Sequence, residues 1–178
     1  MARGSTESFE NEALFLRHAD WYHAANAVIV GDVEIGAGAS LWYGTILRGD
    51  DAKITVGQRV NLQDLTMVHA DPGVPLVIED DVTVGHRAML HCRRIGTGSL
   101  IGMGAILLEQ VEIGPGSLVG ADAVVPPPTI IPPNSMVRGV PGRVVRETTP
   151  EERAGILASV AKYAENAVDF HRRYGAPR

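Results

Sequence analysis

The chain has 178 residues, 45% of them hydrophobic, which suits one domain with a sizeable core and excludes two ordinary ones. A formal charge of −5 offers no basic surface for nucleic acid or anionic lipid, and no run approaches the ~18 apolar residues of a membrane span. Glycine (20) and proline (11) set against only 5% aromatic residues fit a repeat better than a layered core built on large rings.

An N-terminal segment, residues 1–27, comes first. It carries no apolar run long enough for a signal peptide, and the single cysteine, Cys92, excludes an internal disulfide framework. A reducing cytoplasm is the expected location.

From Ile29 onward, a step of six lands on a branched aliphatic every time. It runs through Ile29, Ile35, Leu41 and Leu47, then Val56, Leu62 and Val68, then Ile78, Val84 and Leu90. It continues unbroken from Ile95 through Ile101, Leu107, Ile113, Val119, Val125 and Ile131 to Val137. Four residues after these positions the side chain is usually small or β-branched, as at Ala39, Thr45, Ala88, Ser99 and Ala105. A six-residue period fits neither a helix nor simple strand alternation, so each hexad predicts a short strand followed by a corner. Three hexads close a triangular coil with the aliphatic and the small residue inside. Eighteen hexads make about six coils, a mainly β parallel β-helix over residues 28–147. An ordinary sandwich would not hold the phase for so long.

The phase slips in three places. Three residues are extra between Leu47 and Val56, four are extra between Val68 and Ile78, and one is missing between Leu90 and Ile95. Arg48, Asp50 and Asp51 fill the first slip, His69 and Asp71 the second, His91 and Cys92 the third. Departures from a repeat are where function tends to sit.

Register predicts which of these residues are neighbours. Arg48, His69 and His91 each follow a core aliphatic by one position and lie one coil apart, so they should stack with a rung spacing of about 4.8 Å. Asp64 and His86 each follow an aliphatic by two positions and form a second column, with Gln63 between the two. Imidazoles are common ligands of transition metals, and three of them leaving one position for water make a catalytic-zinc arrangement. A lone surface histidine is ordinarily just solvated, and His18, His23 and His171, outside the coils, are read that way. Cys92 is read as a small wall residue. His86 lies around a corner from His69 and His91, so one chain does not obviously aim all three at one ion, whereas a symmetric trimer would.

The last segment, residues 148–178, changes character. Thr149-Pro150-Glu151-Glu152 is a capped helix start, and Ile156, Val160, Tyr163, Ala167, Phe170 and Tyr174 form one stripe predicted to lie along the prism.

The segments LWYGTILRGD (41–50), NLQD (61–64), VHADPG (68–73), VGHRAMLH (84–91), IGMGAILLE (101–109) and GVPGRVVRE (139–147) resemble the gamma-class carbonic anhydrases and their bacterial relatives. The resemblance runs from about Val28 to the final helix and agrees in the order and spacing of the three histidines. It implies a left-handed β-helix, a homotrimer, and zinc at each subunit boundary, with iron or cobalt as alternative ions. His69 and His91 would come from one chain and His86 from the next. It further implies interface ion pairs for Arg48, Asp50 and Asp64, a hydrogen bond from Gln63 to the metal's solvent, and an approach of Tyr163 to the metal. The reaction implied is reversible hydration of carbon dioxide to bicarbonate. Two departures stand out: the acidic loop that relays protons in the fully active archetype is reduced to Ala70-Asp71-Pro72-Gly73, and Asp51 replaces a glutamate. Other readings of the same repeat are acyl transfer from, or hydrolysis of, coenzyme A thioesters, and a non-catalytic trimer stabilised by metal.

Overall fold

The computed structural model describes residues 14–175. Residues 1–13 of the N-terminal segment and 176–178 of the C-terminal one lie outside the described residues.

The six-residue step becomes a left-handed parallel β-helix of about six turns with one C-terminal helix. A hairpin opens it: β1 (Phe15–His18) runs antiparallel to β2 (Trp21–Ala24). Then come β3 (Val28–Ile35), β4 (Ser40–Leu41) and β5 (Ile46–Val56), followed by strands of two to four residues at nearly every hexad and a five-residue strand, Arg143–Glu147, antiparallel to the last of them.

Three ladders form the faces. On the first, β2, β4 and the strands Asn61–Leu62, Thr83–Val84, Leu100–Ile101, Leu118–Val119 and Ser135–Arg138 pair in parallel. The starts of β3 and β5 open the second, with Met67–His69, Met89–Leu90, Ile106–Leu107 and Val124–Val125. The ends of β3 and β5 open the third, with Leu76–Ile78, Arg94–Ile95, Glu112–Ile113 and Ile130–Ile131. Because the pairing is in register, each aliphatic sits on another: Leu41 on Leu62, Leu62 on Val84, Ile101 on Val119. These side chains are fully buried, and each contributes on the order of 1.5–3 kcal/mol of apolar burial. The small interior residues carry hydroxyls that are satisfied locally. Ser99 Oγ accepts from Ser117 N, and Ser117 Oγ from Ser135 N, at 3.3 and 3.1 Å.

Two details differ from the simple step. The first face starts one strand early, because Tyr22 and His23 pair with Ser40 and Leu41 although neither fits the aliphatic pattern. Ile29, the first of the eighteen aliphatics, lies on the terminal rung and is 38% exposed.

The slips have separate structural outcomes. The first is a bulge inside the continuous strand β5, where pairing with β3 jumps from Gly31↔Gly49 to Val33↔Ile54. Gly31, at φ +81, is needed there: a Cβ would stand 2.2 Å from the Gly49 carbonyl oxygen. The second slip is the turn from Ala70 to Pro75, closed by Val74 N donating to Asp71 O at 2.9 Å. The third turns Cys92 into the core, where burial pushes its thiol up to about 12.

Helix α1 (Pro150–Tyr174) starts with the expected capping box between Thr149 and Glu152. It buries Ile156, Val160 and Ala167 and runs back along the first face to the opening hairpin, where Leu14 N donates to Tyr174 O at 2.9 Å. At about 1.5 Å per residue its 25 residues span roughly 37 Å, more than the roughly 29 Å between the first and last of seven rungs about 4.8 Å apart. Phe15, Trp42 and Phe170 knit the far end together, with ring centroids 4.9 to 5.9 Å apart.

Ile113→Ala, inside the prism, should cost about 2–5 kcal/mol in urea unfolding. Ile130→Ala, one rung away but 74% exposed, should change stability by less than about 0.5 kcal/mol.

The helix start gives a pH dependence. The Arg146 guanidinium first, and then the Thr149 amide, hold the half-buried Glu152 carboxyl down to about 2 from its ordinary 4.5. The folded value is the lower one, so its contribution is present above 4.5 and lost as pH falls toward 2. Thermal melts should show Glu152→Gln less stable than the parent at neutral pH, with the gap closing across that window.

Candidate metal centre

The histidine column forms as the register requires. Arg48 pairs with His69 across the ladder, and His91 follows Leu90, which pairs with Val68. The His69 and His91 rings lie 5.0 Å apart, tilted by 31°.

Acidic groups surround both rings. His69 Nε2 is 3.2 Å from Asp51 Oδ2 and 3.6 Å from Asp50 Oδ1. The Asp50, Asp51 and His69 ligand atoms lie within 4.8 Å of one another, the one such cluster among the described residues. Arg48 Nη1 grips Asp50 at 2.7 Å, and its guanidinium holds that carboxyl below the ordinary value. His91 Nδ1 lies 3.8 Å from Glu109 Oε1. His91 Nε2 is 2.8 Å from Asp71 Oδ1, but the angles do not make a hydrogen bond, and this buried nitrogen has no partner.

His86 stands around the corner, as its register position requires, and outside that cluster. Its Nδ1 is 2.8 Å from Asp64 Oδ2. Asp64 and His86 are each followed by a residue in the left-handed region, Leu65 at φ 62 and Arg87 at φ 63. Such turns are costly for side chains with a Cβ, and here they make the corner from which the two groups project.

Gln63 is 6% exposed and held by a chain of side chains: its Nε2 donates to Asn61 Oδ1 at 3.2 Å, and Asn61 Nδ2 to Thr83 Oγ1 at 2.9 Å. Tyr163 meets Trp42 edge-on at 5.6 Å and shares a groove with Gln63 and His86. Burial, then the nearby Asp64 charge, push its phenol up, so Tyr163 stays a neutral donor.

A single chain therefore brings together His69, His91, Arg48 and Asp50 on one side, and His86, Asp64, Gln63 and Tyr163 on the other. Arg48 and Asp64 are engaged inside the chain, with Asp50 and His86. Glu109, Asn61 and Trp42 complete the arrangement without having been singled out in the sequence. Only for Glu109 was there a signal, since the same stacking step that places His91 puts the segment after Leu107 beside it.

The site can hold a cation. Two imidazoles, one with an orphaned buried nitrogen, lie among four carboxylates and one guanidinium, an arrangement that attracts positive charge.

No family model matches the chain. Individual relatives do. It is 51% identical over 142 residues to the "Probable carbonic anhydrase" of Methanocaldococcus jannaschii, covering 80% of this chain and 89% of that one. With "Gamma carbonic anhydrase 2, mitochondrial" of Arabidopsis thaliana it shares 39% over 158 residues, 85% of this chain and 56% of that one. The chain belongs to the gamma-class carbonic anhydrase family. Among solved structures, a hexapeptide transferase family protein from Anaplasma phagocytophilum superposes with a TM-score of 0.75 at 32% identity, over 88% of this chain and 98% of that one. The family's fold is thus shared with proteins named as transferases.

The environment of Tyr163 has a measurable consequence. In an ultraviolet titration the Tyr163→Phe variant should lack one phenolate transition that the parent shows above the ordinary tyrosine value of 10. A parent whose tyrosines all ionise at or below that value would contradict the buried, Asp64-facing placement.

Proposed function

We propose that this protein is a metal-dependent carbonic anhydrase that interconverts carbon dioxide and bicarbonate at the subunit boundaries of a homotrimer. His69 and His91 of one chain and His86 of the next would hold zinc, and iron or cobalt would suit the same nitrogen ligands. The observation that carries this reading is the buried, unpartnered Nε2 of His91 beside the stacked His69 ring. A buried polar nitrogen without a partner is costly unless something fills the gap.

The surface supports a trimer. Helix α1 covers the first face, and the third presents Glu34, Arg94 and Glu112. The second carries an outward stripe, Val28, Ile46, Met67, Met89, Ile106 and Val124, one per rung, with Val28 and Met89 close to half exposed. A stripe of this kind beside the histidine column suits burial against another copy. The His86 corner of that copy would then supply the third ligand.

When bound, the ion supplies a Lewis-acid centre that makes water nucleophilic near neutral pH. The chain's own residues do the rest. Asp64 stands 2.8 Å behind His86 Nδ1, where a carboxylate can support a metal-binding imidazole. Gln63, fixed by Asn61, offers a rigid amide to the reacting oxygen atoms. The Arg48–Asp50 pair holds the β5 bulge beside His69. Each hydration releases a proton, and Asp71, Asp51 and Glu109 are carboxylates next to the ligands that can accept it. Glu109 supplies a glutamate that the shortened loop after His69 lacks. The lone buried Cys92 suits a reducing compartment, and a cytoplasmic location is part of the proposal. No described helix is long and apolar enough to cross a membrane.

Metal analysis and stopped-flow hydration assays on separate and co-expressed variants test the shared site. His69→Ala and His86→Ala proteins should each lose bound zinc and activity. Trimers shown by mass spectrometry to mix the two should regain both, since one boundary in each mixed ring again has all three ligands. Asp64→Asn should weaken metal affinity by about 10–100-fold. If mixing restores nothing, and Asp51→Ala alone abolishes binding, the ion belongs instead to the Asp50, Asp51 and His69 group of one chain.

A further inference from the structure

A groove of about 420 Å³ runs between helix α1 and the C-terminal half of the first face. Its floor is Leu100 and Leu118, paired in register, and its rim includes Met103, Ala121 and Ser159 of the helix. Polar groups gather at one end, where Gln63, His86 and Tyr163 line it.

The gradient is written in the outward positions of the ladder. Asn61 and Thr83 bond to each other, and the next two rungs replace them with Leu100 and Leu118. Leucines at half-covered outward positions leave apolar surface facing an open space. That space is far larger than the proposed reaction needs. It falls in the range of about 300–1,000 Å³ usual for small organic ligands in mostly apolar pockets with a few polar groups.

We propose that this groove binds a neutral, linear aliphatic acyl compound, its carbonyl head at the Gln63 and His86 end and its chain along Leu100 and Leu118. The head is neutral because a carboxylate would face Asp64, which already stands 2.8 Å from His86. It is an acceptor because the Tyr163 phenol is a donor at that end. The tail is linear because the floor is a narrow ladder, one leucine per rung. A bound molecule covers His86, so it also competes with hydration; that consequence, unlike the binding itself, rests on the function proposed above.

Calorimetry with acetamide, hexanamide and decanamide tests it, on the protein as purified and again after chelator treatment. Affinity should rise about fourfold per methylene until the groove is filled. Ala121→Trp, which obstructs the groove, and Leu118→Asn, which makes its floor polar, should each flatten this dependence while circular dichroism stays unchanged. A flat series in the parent overturns the proposal, and so does a rise that both variants retain. Decanamide binding to the parent without slowing hydration leaves the groove in place and counts against His86 as part of the hydration site.

Discussion

Parallel, in-register stacking of rungs about 4.8 Å apart is the constraint on which everything else in this protein depends. It forces each interior position to repeat its chemistry from coil to coil, because the aliphatic above must rest on the aliphatic below. Outward positions are released from that demand but not from its geometry. Any two residues one coil apart become neighbours whatever they are. The Arg48, His69 and His91 column and the Asp64 and His86 pair are side chains placed on a lattice that the hydrophobic interior maintains.

The same lattice explains what was legible in advance. The aliphatic step carries the architecture, and counting from Leu47, Val68 and Leu90 predicts the histidine stack. The helix start at Thr149 was legible because a capping box is local chemistry. The first strand on the first face was not, because His23 occupies the slot that pairs with Leu41 and no periodicity marks it. The stacking step brings Glu109 near His91, but its approach to the ring, the Asn61 brace behind Gln63 and Trp42 under Tyr163 depend on side-chain rotamers and on how the slips resolve. The third slip shows the difficulty: one missing residue sends Cys92 inward, an outcome that does not follow from the count alone.

Irregularity and chemistry coincide here for a physical reason. A regular coil brings charges together mainly in stacked pairs, as at Arg59 and Asp81. The β5 bulge swings Asp50 and Asp51 over His69, and the turn after His69 delivers Asp71 to His91. Local departures from the repeat therefore build a basin of carboxylates around two imidazoles, and the undisturbed coils on either side keep it rigid. Strained corner residues such as Leu65 and Arg87 are tolerated because neighbouring rungs over-determine their backbone.

The returning helix gives this molecule two kinds of closure. Each coil is sealed by contacts about twenty residues apart, so rungs are able to form one after another behind a growing chain. The aromatic knot is different: His171 Nδ1 meets the Phe15 carbonyl, 156 residues away along the sequence. Loop-closure entropy and contact order make that meeting the slow event. Until it happens, Phe15 and Trp42 stay uncovered at the edge of a prism that is otherwise assembled. Folding of this chain should thus be biphasic, with quick gain of strand signal and late burial of Trp42, and the interval between the two is when the chain is most exposed to misassociation with its own copies.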